Sequence, residues 1–219
     1  MLKKNTFQLA LTAFLLFTSA SVFTGCSSKS VNESDPKSMY EDADQDIGND
    51  RYLLALDKLR VIKSKFSYST YGALAQLRIA DVYFLQESFP EAASAYETFV
   101  ELYPKNLKAA YALFRAGESY FKDIPANTAR DLRSADSTIS TFNQYLKKFP
   151  GGEYTKQAID MKTQAYNKLA EKEYQVGEFY VRREKPDSAK IRFQKIIDQF
   201  PDSSWAPKAK EALDKLPSH

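Results

Sequence analysis

Apolar positions along this chain recur at helical intervals in paired segments, each pair roughly 34 residues long. The clearest pair runs from Ala73 to Asn106 and breaks at Glu87–Pro90. Counting Ala73 as position one, Ala80 is eighth, Tyr83 eleventh and Ala92 twentieth. Tyr96 is then twenty-fourth, Phe99 twenty-seventh and Pro104 thirty-second. Small residues at positions eight and twenty let two helices approach closely. The aromatics fill the space around that contact, and the proline ends the second helix.

These offsets resemble the tetratricopeptide (TPR) repeat. One such unit cannot bury its apolar face alone, so neighbours are expected. A weaker copy precedes it, about Pro36 to Ser69, with Ala43, Ala55, Leu59 and Ile62 at the small and large positions. Asp46 stands where the eleventh-position tyrosine belongs, which predicts one wet face on a terminal repeat. Gly48-Asn49-Asp50 supplies its turn. A third copy begins near Ala110, with Ala116, Gly117 and Tyr120 in place. Thr138, Phe142, Tyr145 and Pro150 match after an insertion, Ile124 to Leu132, expected as a surface loop.

Beyond Phe149-Pro150-Gly151-Gly152, the periodicity of Ala158, Met161, Ala165 and Leu169 predicts an extra helix. No breaker separates it from a fourth copy, Ala170 to Ser203, carrying Gly177, Tyr180, Ala189, Phe193, Ile196 and Pro201. A last helix, about Trp205 to Leu216, is expected to cap the array. The fold class is therefore all-α: a TPR helical-hairpin solenoid of about four repeats over residues 37–217, with one linking helix and a C-terminal capping helix.

The N-terminus follows another pattern. Lys3 and Lys4 precede an apolar run, Phe7 to Phe17, too short to span a bilayer. Thr24-Gly25-Cys26 follows, and Cys26 is the chain's sole cysteine. Residues 1–25 read as a signal peptide resembling bacterial lipoprotein signals, with Cys26 the acylated residue. Phe23 stands where that motif usually has leucine. An ordinary cleaved leader with an incidental cysteine is the alternative. Residues 26–36 are polar and read as a flexible tether.

Composition narrows the function classes. A net charge of +3, partly in Lys3 and Lys4, gives no clustered basic face for nucleic acid. The sole histidine is His219, the final residue, and the sole cysteine belongs to the signal motif. No nucleophile pair, metal cage or Gly-rich phosphate loop can be assembled, so neither an enzyme, a cofactor nor a metal site is expected. Scattered carboxylates on helices are ordinarily a solvated face.

A binding surface is the better candidate. Positions two, five, nine, twelve and thirteen of each first helix are expected to line the concave side of the array. They are Leu74, Leu77, Asp81, Phe84 and Leu85 in the second unit, and Tyr111, Phe114, Glu118, Phe121 and Lys122 in the third. Tyr40 and Ile47 join them from the first. Arg78 and Arg115 share position six and could clamp a carboxylate or a peptide backbone; the alternative is that some of these residues pack neighbouring repeats and the arginines are solvated. The partner-binding candidates are Tyr40, Leu77, Arg78, Phe84, Tyr111, Phe114, Arg115 and Phe121, suited to an extended peptide with aromatic side chains.

The order of these features resembles the BamD (ComL-type) lipoprotein family. Glu173-Tyr174-Gln175-Val176-Gly177-Glu178-Phe179-Tyr180 is similar to the start of that family's fourth repeat. Arg130-Asp131 through Ala135, Phe142, Phe149-Pro150 and Tyr154 is similar to its third. The resemblance implies an outer-membrane, periplasm-facing scaffold of the machine that folds β-barrels. Its implied partners are a BamA-type barrel subunit, other assembly lipoproteins and nascent outer-membrane proteins. In that family the N-terminal repeats are associated with substrate and the C-terminal ones with BamA. The family usually has a fifth complete repeat where this sequence has one helix. Two other readings remain: an envelope adaptor for Tol–Pal or peptidoglycan machinery, and a carrier of hydrophobic periplasmic ligands. The first lacks its expected coiled coil, since Ser27–Ser38 has no heptads.

Overall fold

The computed structural model describes Asn32 and residues 34–217. The signal peptide, Cys26 and His219 lie outside the described residues. Nine helices and no strand are found among the described residues. They are α1 (Pro36–Gly48), α2 (Tyr52–Lys65), α3 (Thr70–Leu85), α4 (Phe89–Leu102), α5 (Ala109–Lys122), α6 (Arg133–Lys148), α7 (Thr155–Arg182), α8 (Pro186–Gln199) and α9 (Ala206–Asp214). Each helix packs on its sequence neighbours, and α3 also packs on α1, as α7 does on α5. This is the solenoid the spacing predicts.

Local chemistry sets the boundaries. Asp35 accepts from the backbone of Lys37 and Ser38, with Pro36 in the first turn of α1. Ser69 caps α3 by accepting from Gly72 N–H. The hairpin turns share one geometry. Asp50, Glu87 and Glu184 have φ of 57°, 57° and 56°, and each is the fifteenth residue of its repeat. The next residue's N–H then reaches back to the carbonyl of position eleven: Arg51 to Asp46, Ser88 to Tyr83, Lys185 to Tyr180. Such left-handed closures satisfy the last carbonyls of a helix. The third repeat lacks this turn because its insertion replaces it.

The small-and-large pattern is the packing pattern. Ala43, Ala55, Leu59 and Ile62 are fully buried, as are Ala80, Ala92 and Tyr96 of the second repeat. In the third and fourth repeats position eight is glycine, and the reason is direct. A Cβ on Gly117 would lie 2.6 Å from the Phe142 ring, and one on Gly177 would lie 2.5 Å from the Phe193 ring. The position-24 ring occupies the volume a methyl would need.

Two expectations are corrected. Asp46 does not face water: it is 2% exposed and held by Arg51, with Nη2 at 2.6 Å, and by Lys58 at 2.5 Å. A buried carboxylate replaces the aromatic because two cations compensate its desolvation. The insertion is likewise only partly a surface loop. Asn127, Arg130 and Asp131 are exposed, but Thr128 and Leu132 are buried. Thr128 Oγ1 donates to Gln175 Oε1 on α7, and Leu132 packs with Ala135 and Ala165. The loop fills the space between the third repeat and the long helix.

That helix, α7, is unbroken over 28 residues, roughly 42 Å at 1.5 Å per residue. Its buried positions are Ala158, Ala165, Ala170 and Gly177. Ala158 belongs to the core of the second and third repeats, and Ala170 to the core of the fourth and the capping helix. Among the described residues no helix is long and apolar enough to cross a membrane.

Candidate partner-binding face

The first helices α1, α3 and α5 lie side by side and carry a continuous polar–aromatic network. Arg78 on α3 donates from Nε to Asp44 Oδ1 on α1 at 2.7 Å, and its Nη1 is 3.5 Å from Asp81 Oδ2. Asp81 Oδ1 accepts from the Tyr96 hydroxyl at 2.6 Å and from the Tyr111 hydroxyl at 3.1 Å. The Tyr96 oxygen in turn accepts from Arg115 Nε at 3.3 Å. Arg115 Nη1 pairs with Glu118 at 3.0 Å, and its guanidinium sits 3.7 Å from the centroid of the Phe84 ring. Position six of each repeat is thus tied to the repeat before it. The arginines recur in register because each one is a strap between repeats.

Electrostatics hold this network in one protonation state. Burial, reinforced by Asp44, pushes the Tyr40 hydroxyl up to about 12. Burial and the Asp81 carboxylate push Tyr111 up to about 12 and raise Tyr96 further. For Arg78 burial works against the charge, but the Asp44 bond and its charge outweigh it and the net shift is upward. The same holds for Arg115 through Tyr96 and Glu118. Both arginines stay charged and the tyrosines protonated across the physiological range.

The candidates separate by burial. Tyr40, Phe84, Tyr111 and Phe121 are partly exposed, as are Arg78 and Arg115. Leu77 and Phe114 are 6% exposed each and point into the core. Phe114 stacks on Tyr154 at 4.5 Å and touches Phe142 and Tyr145, so it supports the face from beneath. The guanidinium groups, expected to be open clamps, are engaged on the protein's own carboxylates. What the face presents is aromatic edge and a slight excess of acid: Asp44, Asp81 and Glu118 against Arg78 and Arg115.

At its far end the face continues into a cavity of about 590 Å³, where Phe121 joins Ile124 and Pro125 of the insertion, Asn167 and Glu171 of α7, and Trp205. Sequence reasoning stopped at the third repeat and missed this wall. Applying the same position rule to the fourth repeat picks out Glu171 and Tyr174. Trp205, whose ring lies tilted against Tyr174 at 5.1 Å, carries no such signal because it precedes a helix outside the repeat register.

Residues 32–217 match the model of a family described as Outer membrane lipoprotein, YfiO. A Vibrio cholerae protein named outer membrane protein assembly factor BamD is 25% identical over 203 residues, covering 87% of this chain and 84% of the relative. The protein of the same name from Pasteurella multocida is 24% identical, covering 98% and 85%. The one from Rickettsia prowazekii is 34% identical over 132 residues, 58% of this chain and 50% of the relative.

Proposed function

The chain belongs to the YfiO family of outer membrane lipoproteins, and on that premise we propose that it is a scaffold of the machinery that assembles β-barrels in the outer membrane. The observation that carries this reading is the family match over essentially the whole helical array, together with relatives named as assembly factors. The role we assign is the holding of partners and is non-enzymatic.

The finer reading is ours as well. Acylated at Cys26, the protein is held at the periplasmic face of the outer membrane by its lipid. The face built by α1, α3 and α5 receives extended, aromatic-bearing segments of nascent barrel proteins, with Tyr40, Phe84, Tyr111 and Phe121 as apolar contacts. Arg78 and Arg115 fix the spacing of the helices that present those rings, and Leu77 and Phe114 hold them from below. The C-terminal repeat and α9 dock on a BamA-type barrel subunit and neighbouring assembly lipoproteins.

A detergent pull-down of the lipidated protein, read by mass spectrometry, tests this. Recovery of an outer-membrane barrel with repeated periplasmic domains is expected. Recovery of Tol or cell-wall components in its place overturns the reading.

A further inference from the structure

We propose that one edge of the helical array is a docking edge for an anionic phospholipid surface. Helix direction alternates along the chain and the connections are short, so the α2–α3, α4–α5 and α6–α7 loops share one edge. The Tyr40 and Tyr71 rings, 5.8 Å apart, place the start of α1 beside the α2–α3 loop on that same edge.

This edge carries the two most exposed large apolar side chains among the described residues, Tyr68 and Leu107, although Leu53 and Ile191, both more exposed than Leu102, lie off it. Tyr68 is fully exposed, Leu107 is 98% exposed and Leu102 is 60% exposed. None is accounted for by packing. Beside them lie Lys105 and Lys108, and Lys147 and Lys148 closing α6. All four lysines are exposed, and among the described residues none is within ion-pair distance of a carboxylate. Lysines in a last turn complement the helix dipole, which explains Lys147 and Lys148. It does not explain Lys108, which is the N-cap of α5, where the dipole disfavours a cation. Glu101 and Glu153 lie on this edge too, so the excess is cationic and not purely so. The opposite edge, by contrast, mixes acids and bases, with Arg51, Glu87, Glu91 and Lys122 among its exposed residues.

Exposed aromatic and aliphatic side chains interleaved with lysine are what an anionic headgroup layer accepts: the rings and chains enter the interface while the ammonium groups meet phosphate. The occupant is set by continuity as well as charge. Pro36, at the start of α1, lies on this edge, and the length of chain back to Cys26 is at most about 36 Å when extended. The proposal rests on the anchoring at Cys26. With that anchor in place, the edge is the part of the array brought to the bilayer.

The test uses the full acylated chain reconstituted into vesicles, with Leu107→Cys or, on the opposite edge, Glu91→Cys carrying a polarity-sensitive fluorophore. On vesicles of phosphatidylglycerol and phosphatidylethanolamine, the probe at 107 is expected to shift to the blue and be quenched by a lipid-borne quencher, while the probe at 91 is not. The shift is expected to vanish on phosphatidylcholine and in the K105E/K108E/K147E/K148E variant. Equal emission at the two positions, or a shift indifferent to lipid charge and to the lysines, overturns the proposal. Co-sedimentation reports the anchor separately. A chain that sediments with vesicles but shows no shift refutes the edge and leaves the anchor standing. One that neither sediments nor shifts refutes both.

Discussion

The guanidinium carbon of Arg115 lies 3.7 Å from the centroid of the Phe84 ring, so the third repeat holds the second through a cation over an aromatic face. Phe84→Ala removes that platform and one ring of the candidate face. A stability loss of about 1 kcal/mol is expected in urea denaturation, with helicity by circular dichroism unchanged. Affinity for a peptide ending in an aromatic residue is expected to fall about tenfold, roughly 1.4 kcal/mol. Unchanged affinity would place peptide binding elsewhere.

Gly177 is the contact that sets the helix spacing of the fourth repeat. Gly177→Ala puts a methyl 2.5 Å from the Phe193 ring and is expected to destabilise by about 1–3 kcal/mol. Gly177→Leu is expected to be worse. Combining Gly177→Ala with Phe193→Leu tests the cause: the second change should recover part of the melting temperature only if the ring is what the methyl meets.

Glu87 sits at φ 57° in a turn that ordinarily takes glycine. Glu87→Gly is expected to stabilise the chain by about 1 kcal/mol by removing the left-handed penalty. Differential scanning calorimetry is the measurement, and the same substitution at Glu184, which shares the geometry, should act in the same direction.

Asp46 and Glu173 are each clasped by two cations, and both are held below the ordinary carboxylate range. Burial acts the other way and is outweighed by Lys58 with Arg51, and by Lys195 with Arg192. A carboxylate with a depressed folded pKa contributes stability above its unfolded pKa and loses it as pH falls through the folded value. Stability measured by denaturation should therefore hold from neutral pH down to about 4–5 and decline below that. Asp46→Asn is expected to lose about 1.5–3 kcal/mol at pH 7 and to flatten the acid limb. A variant with an unaltered acid limb would show that the pairs do not link to folding.

Cys26→Ala is expected to release the protein from the outer-membrane fraction, as read by fractionation and by loss of incorporated labelled fatty acid. Retained label would mean that another residue carries the lipid.

The repeat register was legible because each position has a steric meaning. Ala80, Ala92 and Tyr96 read out a helix–helix contact, and Gly117 and Gly177 read out the ring opposite. The unbroken α7 was legible for want of a breaker. Side-chain fate was harder. Phe114 and Phe84 both occupy expected lining positions, yet one is core and the other partly exposed, since Tyr154 just before α7 packs on Phe114 and not on Phe84. Asp46 looked solvated because its cations, Arg51 and Lys58, lie on the following turn and helix and converge only after the hairpin closes. Likewise, Arg78 and Arg115 gave no sign that their partners were internal, because Asp44 and Tyr96 lie 34 and 19 residues away in sequence.

The unbroken α7 bears on mechanics as well as architecture. Between the first and second repeats, and between the second and third, the chain turns through a loop. Between the third and fourth repeats the α6–α7 loop is followed by a beam, with Ala158 seated in one core and Ala170 in the next. A load applied at the capping helix is therefore carried along a stiff member to the aromatic face. Cargo at one end and an anchoring subunit at the other would be kept at a set distance and angle.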